Sequence, residues 1–383
     1  MKVRMGMIGG SKDAFIGNVH RMAAALDGKV ELVCGAFSSD AQRSKDTGQM
    51  LGLEPSRVYA SYEEMMLGEK QLPESKRMQF VSIVTPNHLH FKPAMLALEH
   101  GFHVLCEKPL AFSLQEAQTL AKATRNSGLL FGLTHNYTGY PMVKEARHLI
   151  KAGALGQIRK IIAEYPQGWL SAPIEQEGQK QASWRTNPQQ AGLSCCVGDI
   201  GTHAENLAEY ITGLRITELC ADVSTFVEGR LLDDDANILL RFENGAKGVI
   251  IASQIANGDE NELRIRVYGV QGSIEWLQSD PNSLVFKQND KPKQILRTGG
   301  NHSYLSAQAR AHTRLPAGHP EGYLESMANL YRNFAEAIMR YKQGEIPDPM
   351  FDFPTIDDGV RGMKFIETAI ASGKDNAKWL RLI

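Results

Sequence analysis

The chain has 383 residues, of which 43% are hydrophobic and 22% are charged, and its formal net charge is -1. This length predicts two domains rather than one core, and the near-neutral charge argues against binding to nucleic acid or to an anionic membrane. No apolar run is long enough to span a bilayer, and the N-terminal residues lack the pattern of a signal peptide. The five cysteines lie mostly in apolar segments and argue against a disulfide framework, so we expect a reduced, cytoplasmic protein.

The first third of the chain alternates short apolar runs with helical patterns. The apolar runs predict strands at 3–8, 31–37, 80–84, 103–106 and 129–133. Helices are predicted at 18–26 and 91–100, and after the capping boxes at 61–64 and 113–116. Short apolar strands that alternate with helices are typical of a parallel sheet covered on both faces.

After about residue 150 the predicted strands are longer and often alternate apolar with polar residues. They lie at 158–165, 219–227, 236–242, 247–255, 263–268 and 273–276. Asn244-Gly245 between two of them is a strong hairpin signal. We therefore expect an antiparallel sheet, followed by helices at 324–341 and 357–372.

A glycine-rich turn leaves the first predicted strand. Gly9, Gly10 and Ser11 follow the apolar run, and Gly17 precedes the first helix. Glycine at such a turn lets backbone N–H groups approach a pyrophosphate, and the helix N-terminus favours negative charge. The spacing is longer than the usual dinucleotide fingerprint, and a plain strand-to-helix turn is the alternative. We expect Gly9, Gly10 and Ser11, with Phe15 and Ile16, to bind the cofactor.

The second strand ends in polar residues. NAD sites usually place an acid at this point to bind the ribose hydroxyls, but Ser38 and Ser39 occupy it here. Without that acid a 2′-phosphate meets no repulsion, and Arg43 could pair with one. The pattern slightly favours NADP over NAD, although Asp40 could still serve a ribose.

Two further segments follow predicted strands of the same sheet. Thr85, Pro86, Asn87 and His90 come after the third strand, and Glu107-Lys108-Pro109 comes after the fourth. The carboxyl edge of a parallel sheet is where ligands bind, so we expect these residues to contact the cofactor. A helix cap or a surface histidine is the alternative for Asn87 and His90. Lys108 is placed to stabilise the oxyanion character of a substrate hydroxyl, and a solvated surface lysine is its alternative.

Asp199 and His203 stand four residues apart at the start of a helix-like run. This spacing places them on one helical face, and histidine titrates near neutral pH, as a general base must. The alternatives are a capping aspartate with a packed histidine, or a metal pair for which no third ligand is evident. The spacing does not decide which of the two takes the proton.

These motifs together resemble the glucose–fructose oxidoreductase / inositol dehydrogenase / rhizopine-catabolism (Gfo/Idh/MocA) oxidoreductases, from Gly9-Gly10 through Thr85–His90 and Glu107–Pro109 to Trp184-Arg185 and Gly198–His203. The resemblance implies a Rossmann domain at 1–134. It implies at 135–383 an α+β domain with a large, open, mainly antiparallel sheet that mediates homodimers or homotetramers. The C-terminal helices could pack back on the first domain. The resemblance also implies Lys108, Asp199 and His203 as the catalytic set, with NAD or NADP as cofactor.

By the same resemblance the substrate is a sugar, a sugar derivative or an inositol. We expect Tyr137, Trp184, Arg185 and His319 to line its site together with Asp199 and His203, although packing or surface positions are equally compatible with the pattern. Asp233-Asp234-Asp235 at a strand start is interpreted as a solvated acidic turn rather than a cation site.

The leading hypothesis is reversible oxidation of one secondary hydroxyl, with hydride transfer to nicotinamide. Two alternatives stay open. One is an NAD-dependent glycosidase that uses transient oxidation of a ring carbon, and the other is a non-catalytic nucleotide-binding sensor or scaffold.

Overall fold

The computed structural model describes residues 2–382. The chain divides into two compact units. The first runs to Gly139 and takes in Tyr323–Val360, and the second comprises Tyr140–Gly322 and the residues from Arg361 onward. The boundary lies five residues after the predicted one (139 against 134), and one of the two C-terminal helices belongs to the first unit.

The later boundary has a local cause. The turn that ends at Gly139 packs against the helix that begins at Tyr323, since Asn329 Nδ2 donates to Gly139 O at 2.8 Å. A Cβ added at Gly139 would lie 2.1 Å from Ser326 O, so only glycine permits this approach.

The elements are numbered in chain order. The strands are β1 (Val3–Gly9), β2 (Val30–Ala36), β3 (Phe80–Val84), β4 (His103–Cys106), β5 (Phe131–Leu133), β6 (Ile158–Pro166), β7 (Ile216–Ser224), β8 (Asp235–Phe242), β9 (Lys247–Ser253), β10 (Arg264–Gly269), β11 (Gly272–Leu277), β12 (Ser283–Gln288), β13 (Gln294–Arg297) and β14 (Leu380–Arg381). The α-helices are α1 (Phe15–Leu26), α2 (Ala41–Met50), α3 (Tyr62–Gln71), α4 (Phe91–Glu99), α5 (Leu114–Ser127), α6 (Pro141–Lys151), α7 (Lys180–Arg185), α8 (Pro188–Ala191), α9 (Thr202–Thr212), α10 (Ala307–Ala311), α11 (Tyr323–Lys342) and α12 (Ile356–Lys374). No helix among residues 2–382 is long and apolar enough to cross a membrane.

The first unit holds a five-stranded parallel sheet in the order β2-β1-β3-β4-β5. A bridge between Gly35 and Val58 extends it by one position beyond β2. Strand order reverses between β1 and β3, and ligands of such sheets bind at the carboxyl ends of the strands at this point. Every residue of β3 and β4 is buried, as expected of strands covered on both faces.

One apolar core joins this sheet to the helices that cover it. Met5 and Met7 of β1 and Phe80 of β3 share a buried cluster with Leu330 and Phe334 of α11. The phenyl rings of Phe80 and Phe334 meet edge to face with their centroids 5.4 Å apart. The predicted capping boxes form as well, since Ser61 and Ser113 accept hydrogen bonds from the N–H groups three residues on.

The second unit holds a nine-stranded sheet in the order β13-β12-β11-β10-β6-β9-β8-β7-β14. All its neighbouring pairs are antiparallel except β6 and β9. The predicted hairpin at Asn244-Gly245 joins β8 to β9, with Gly245 at a φ of 85°. The sheet is therefore mixed but mainly antiparallel. No pattern in the sequence predicted α2, α6 or the closing strands β12 and β13.

Candidate active site

Three glycines shape the turn between β1 and α1. Gly9 and Gly10 have φ values of 82° and 72°, a region that side chains avoid. A Cβ added at Gly17 would lie 2.3 Å from Gly10 Cα, so the start of α1 packs directly on the turn. Arg21 Nη1 donates to Gly10 O at 2.6 Å and fastens the turn from the helix. This backbone cradle fits the pyrophosphate of a dinucleotide.

The N-terminus of α1 completes the cradle. Ala14 occupies the N-cap and has no side-chain acceptor for the first N–H groups of the helix. Such N–H groups are available to an anion. Ser11 is buried beside the turn, and the Phe15 side chain is 69% exposed. Ile16 is half-buried.

At the end of β2 the predicted polar residues lie near the surface. Ser38 is half-buried, and Ser39 and Arg43 are exposed. Asp40 caps α2, with its Oδ1 accepting from Arg43 N at 2.9 Å, and Ser38 Oγ accepts from Asp40 N at 3.1 Å. The Arg43 side chain thus remains exposed near the tip of the strand.

After β3 the chain makes a short helical turn, which hydrogen bonds of the His90 ring hold in place. His90 is buried, and its ring nitrogens lie 2.9 Å from Pro109 O and 2.8 Å from Thr85 O. Burial lowers the pKa of His90, against the opposing effect of these two carbonyls. His90 therefore links the end of β3 to the loop after β4, which is a structural function. Thr85 Oγ1 donates to Leu89 O, Pro86 precedes the turn and Asn87 is buried in it.

The Glu107-Lys108 segment lies at the tip of β4, and Lys108-Pro109 is a cis peptide. Glu107 Oε1 accepts from His20 Nε2 at 2.7 Å and from Thr134 Oγ1 at 2.5 Å. Burial raises the pKa of Glu107, but His20, the Lys108 charge and the Thr134 hydroxyl outweigh it and lower the pKa to about 2. Glu107 is therefore an ionised carboxylate beside Lys108.

His135 lies in the same part of the first unit. Burial and the Lys108 charge lower its pKa to about 3, so the imidazole is neutral at neutral pH. Tyr137, predicted to line the substrate site, follows in the turn before Gly139 and is 3% exposed.

The second unit holds Asp199 through two donors. Asp199 Oδ2 accepts from Arg185 Nε at 3.1 Å and from Gln254 Nε2 at 3.0 Å. An arginine partner favours the charged form of a carboxylate. The guanidinium of Arg185 stacks on Trp184, with its carbon 4.3 Å from the ring centroid. Arg185, predicted to line the substrate site, thus binds the predicted catalytic acid.

The segment that carries Asp199 and His203 is partly π-helical. Val197–Gly201 forms a π-turn in which Thr202 N donates to Val197 O, and α9 continues from it. Such turns are frequent at functional sites. His203 is 7% exposed, and its ring lies 6.4 Å from that of Tyr165.

The interpretation of Asp233-Asp234-Asp235 as a solvated turn is wrong. Asp233 and Asp234 are buried. Asp233 accepts from Ser194 Oγ and from the N–H groups of Cys195 and Val197 at 2.8–2.9 Å. Asp233 therefore caps the segment that presents Asp199, and the three donors replace the water that the carboxylate loses.

The remaining predicted residue, His319, lies on an exposed loop, where its Nδ1 is 3.2 Å from Pro316 O. Sequence reasoning missed Gln254, Asp233 and His20. The only available signals were the run of three acids before a strand and a histidine three residues after Gly17. Within residues 2–382 no group of three or more His, Cys, Asp or Glu side chains could hold a metal ion.

Both parts of the chain match models of one protein family. Residues 3–135 match the oxidoreductase family with an NAD-binding Rossmann fold, and residues 143–275 match the GFO/IDH/MocA C-terminal domain.

Known proteins resemble the chain over its length. An oxidoreductase from Sinorhizobium meliloti is 44% identical, with 99% of each chain covered and a TM-score of 0.89. An inositol dehydrogenase homologue from Azotobacter vinelandii, complexed with NAD+, is 36% identical, covers 100% of this chain and 97% of its own, and has a TM-score of 0.94. The same homologue complexed with NADH and myo-inositol is 35% identical, covers 100% and 98%, and has a TM-score of 0.91.

A more distant relative has a defined activity in its name. Levoglucosan dehydrogenase from Pseudarthrobacter phenanthrenivorans is 28% identical over 79% of this chain and 82% of its own. The cradle at Gly9, Gly10 and Gly17 agrees with the dinucleotide that such enzymes use. The chain therefore belongs to the GFO/IDH/MocA family of NAD-binding oxidoreductases, whose members include dehydrogenases of sugar hydroxyls.

Proposed function

We propose that the protein oxidises one secondary hydroxyl of a sugar, a sugar derivative or an inositol, using NAD or NADP. The names of its relatives support this substrate class, since one is complexed with myo-inositol and another is a levoglucosan dehydrogenase. The bound nicotinamide supplies the hydride acceptor. The protein supplies a proton acceptor and a cation for the developing alkoxide.

The arrangement around Asp199 carries the assignment of roles. Arg185 and Gln254 both donate to Asp199 Oδ2 and keep the carboxylate charged and oriented. A carboxylate held in this way is a poor proton acceptor but a good partner for a substrate hydroxyl. His203 then takes the hydroxyl proton, because an imidazole titrates near neutral pH.

Lys108 stabilises the substrate oxygen as it loses its proton. The charge of Lys108 is among the groups that lower the pKa of Glu107, the residue before it in the chain. A positive charge aimed at a developing oxyanion lowers the barrier more than it strengthens substrate binding.

We also propose that the protein accepts both nucleotides, with NADP bound somewhat more tightly. Support comes from the serine at position 38 and from the exposed side chain of Arg43 near the tip of β2. Fluorescence titration with both nucleotides tests this. Arg43→Ala should remove the NADP advantage, whereas much tighter binding of NAD to the unsubstituted protein would contradict it.

We further propose a homodimer or homotetramer formed through the nine-stranded sheet. Leu239 is 48% exposed and faces Val249 across β8 and β9, and Val249 faces the half-buried Ile162 across β6. Such an apolar strip on a sheet is typical of an interface. Light scattering should report a multiple of the chain mass, and Leu239→Lys should lower it. A monomer before substitution would contradict the proposal.

The function is tested with a panel of sugars and inositols, NAD and NADP, and the absorbance of reduced nicotinamide. At least one polyol should give turnover, and Lys108→Met and His203→Asn should each abolish most of it. Release of a glycosidic product without net cofactor reduction would favour the glycosidase alternative. Unchanged turnover in both variants would contradict the assigned roles, and cofactor binding without turnover across the panel would favour a sensor.

A further inference from the structure

A network of hydrogen bonds between buried polar side chains in the first unit ends at Glu107. The mechanism proposed above does not use this network. Tyr331 Oη lies 2.7 Å from Ser82 Oγ and 2.6 Å from His20 Nδ1, and His20 Nε2 lies 2.7 Å from Glu107 Oε1. His20, Ser82 and Tyr331 are buried, with exposed fractions of 0–1%. We propose that His20, aligned by Tyr331 and Ser82, is a positioning residue for hydride transfer that acts on Lys108 through Glu107. This inference rests on the proposed role of Lys108.

The directions of the hydrogen bonds support an alignment that runs from Ser82 through Tyr331 and His20 to Glu107. An ionised carboxylate only accepts, so His20 Nε2 must carry the proton that bonds Glu107. In the tautomer whose only ring proton is on Nε2, Nδ1 is an acceptor and Tyr331 donates to it. Burial raises the pKa of Tyr331, which keeps its hydroxyl protonated. In that tautomer Ser82 donates to Tyr331, so three consecutive donors point toward Glu107, and consecutive hydrogen bonds of this kind strengthen one another.

The hydrogen-bond network connects the elements that build the cofactor site. His20 lies on α1, whose first turn packs on Gly10. Glu107 lies at the tip of β4, and Thr134 at the end of β5 donates to the same carboxylate oxygen. The Glu107–His20 bond therefore ties the pyrophosphate-binding helix to the Lys108 segment.

Stability alone does not explain why the hydrogen-bond network ends at Glu107. The buried Nε2–H of His20 needs an acceptor, but any backbone carbonyl would serve, and here the acceptor is the carboxylate of the residue that precedes Lys108. Glu107 Oε2 also accepts from Lys108 N at 3.3 Å. With Glu107 fixed, the main chain at Lys108 is held from one side, and the ammonium has fewer positions to occupy.

The test compares Tyr331→Phe with Tyr59→Phe. Each change removes one hydroxyl from the first unit, and the Tyr59 hydroxyl also bonds a buried carboxylate, that of Glu69, at 3.1 Å. Thermal melting reports folding. Trace acetylation at mildly alkaline pH, followed by peptide mass spectrometry, reports the reactivity of Lys108 against the exposed Lys92 as an internal reference. This readout needs neither substrate nor turnover.

Tyr331→Phe should raise the relative acetylation rate of Lys108 several-fold and lower kcat about tenfold, the effect of one hydrogen bond of ordinary strength. Tyr59→Phe should lower the melting temperature by a similar amount but leave the acetylation rate of Lys108 and kcat unchanged. His20→Gln, which keeps a donor toward Glu107, should retain more turnover than His20→Phe.

Equal effects of Tyr331→Phe and Tyr59→Phe on labelling would overturn the proposal and leave a merely structural network. Lys108→Met separates this failure from that of the proposed function. If Lys108→Met is inactive while Tyr331→Phe is normal, only the positioning role fails. If Lys108→Met is fully active, the proposed function fails first.

Discussion

Asp199 accepts from Arg185 and Gln254 through the same carboxylate oxygen, and the two donors together orient the carboxylate. Arg185 is itself held by Trp184 and by Gln181 Oε1 at 2.6 Å. The orientation of Asp199 therefore depends on side chains that do not react. This makes Arg185 the most informative single residue of the second unit.

Arg185→Leu should lower kcat/KM about tenfold to a hundredfold, since a hydrogen bond to a charged group is lost. Steady-state kinetics with the polyol found active in the panel measure it. Arg241→Leu is a matched control, because Arg241 also pairs with an acid, Glu218, and stacks on a tryptophan ring, that of Trp379. Equal losses in the two variants would contradict the role given to Arg185.

Glu107 makes stability depend on pH in a defined direction. Its folded pKa of about 2 lies below the ordinary value of 4.5, so its contribution is present above about pH 4.5 and is lost as pH falls toward 2. A shift of this size corresponds to roughly 3 kcal/mol at neutral pH.

Glu107→Gln should therefore lower the free energy of unfolding at neutral pH, with a difference from the unsubstituted protein that narrows below about pH 4.5. Urea unfolding at a series of pH values measures this difference. A difference that stays constant down to the acid limit of folding would show that the charge of Glu107 does not stabilise the folded state.

At the scale of elements, the contact between α1 and the β1 turn sets the shape of the cofactor cradle. Gly17→Ala should weaken dinucleotide binding at least about tenfold and destabilise the protein by about 1–3 kcal/mol, because its Cβ would press on Gly10. Fluorescence titration and thermal melting measure the two effects.

Gly300→Ala is the control for this change, since a Cβ there would meet its nearest atom at an ordinary 3.8 Å. It should leave dinucleotide affinity unchanged. Normal affinity in Gly17→Ala would mean that the helix can move away from the turn without loss of the site.

Elements with an apolar pattern could be predicted, and those without one could not. The predicted strands at 80–84 and 103–106 agree with β3 and β4 to the residue. Helix α2 is largely polar, buries only Ser44, Thr47 and Gly48, and gave no periodic signal. The π-turn at Val197–Gly201 also has no sequence signature, because it differs from an α-turn only in hydrogen-bond register.

At the scale of the whole molecule, partners from distant parts of the chain limit what the sequence can predict about the site. Lys108, Asp199 and His203 were predicted from local motifs. Gln254 is 55 residues from Asp199, and Tyr331 is 311 residues from His20, so no local pattern pairs them. The solvated turn predicted at Asp233 failed for the same reason, because its donors belong to a segment 36–39 residues away.

The proposed function depends on the transfer of a hydride from a polyol carbon to nicotinamide. The most direct measurement uses myo-inositol, and then the sugars of the panel, deuterated at the ring carbons, with NAD or NADP and mass spectrometry of the nucleotide. One polyol should deliver one deuterium to the nicotinamide ring for each molecule of oxidised product. Oxidised product without deuterium on the nucleotide, or no transfer from any polyol of the panel, would contradict it.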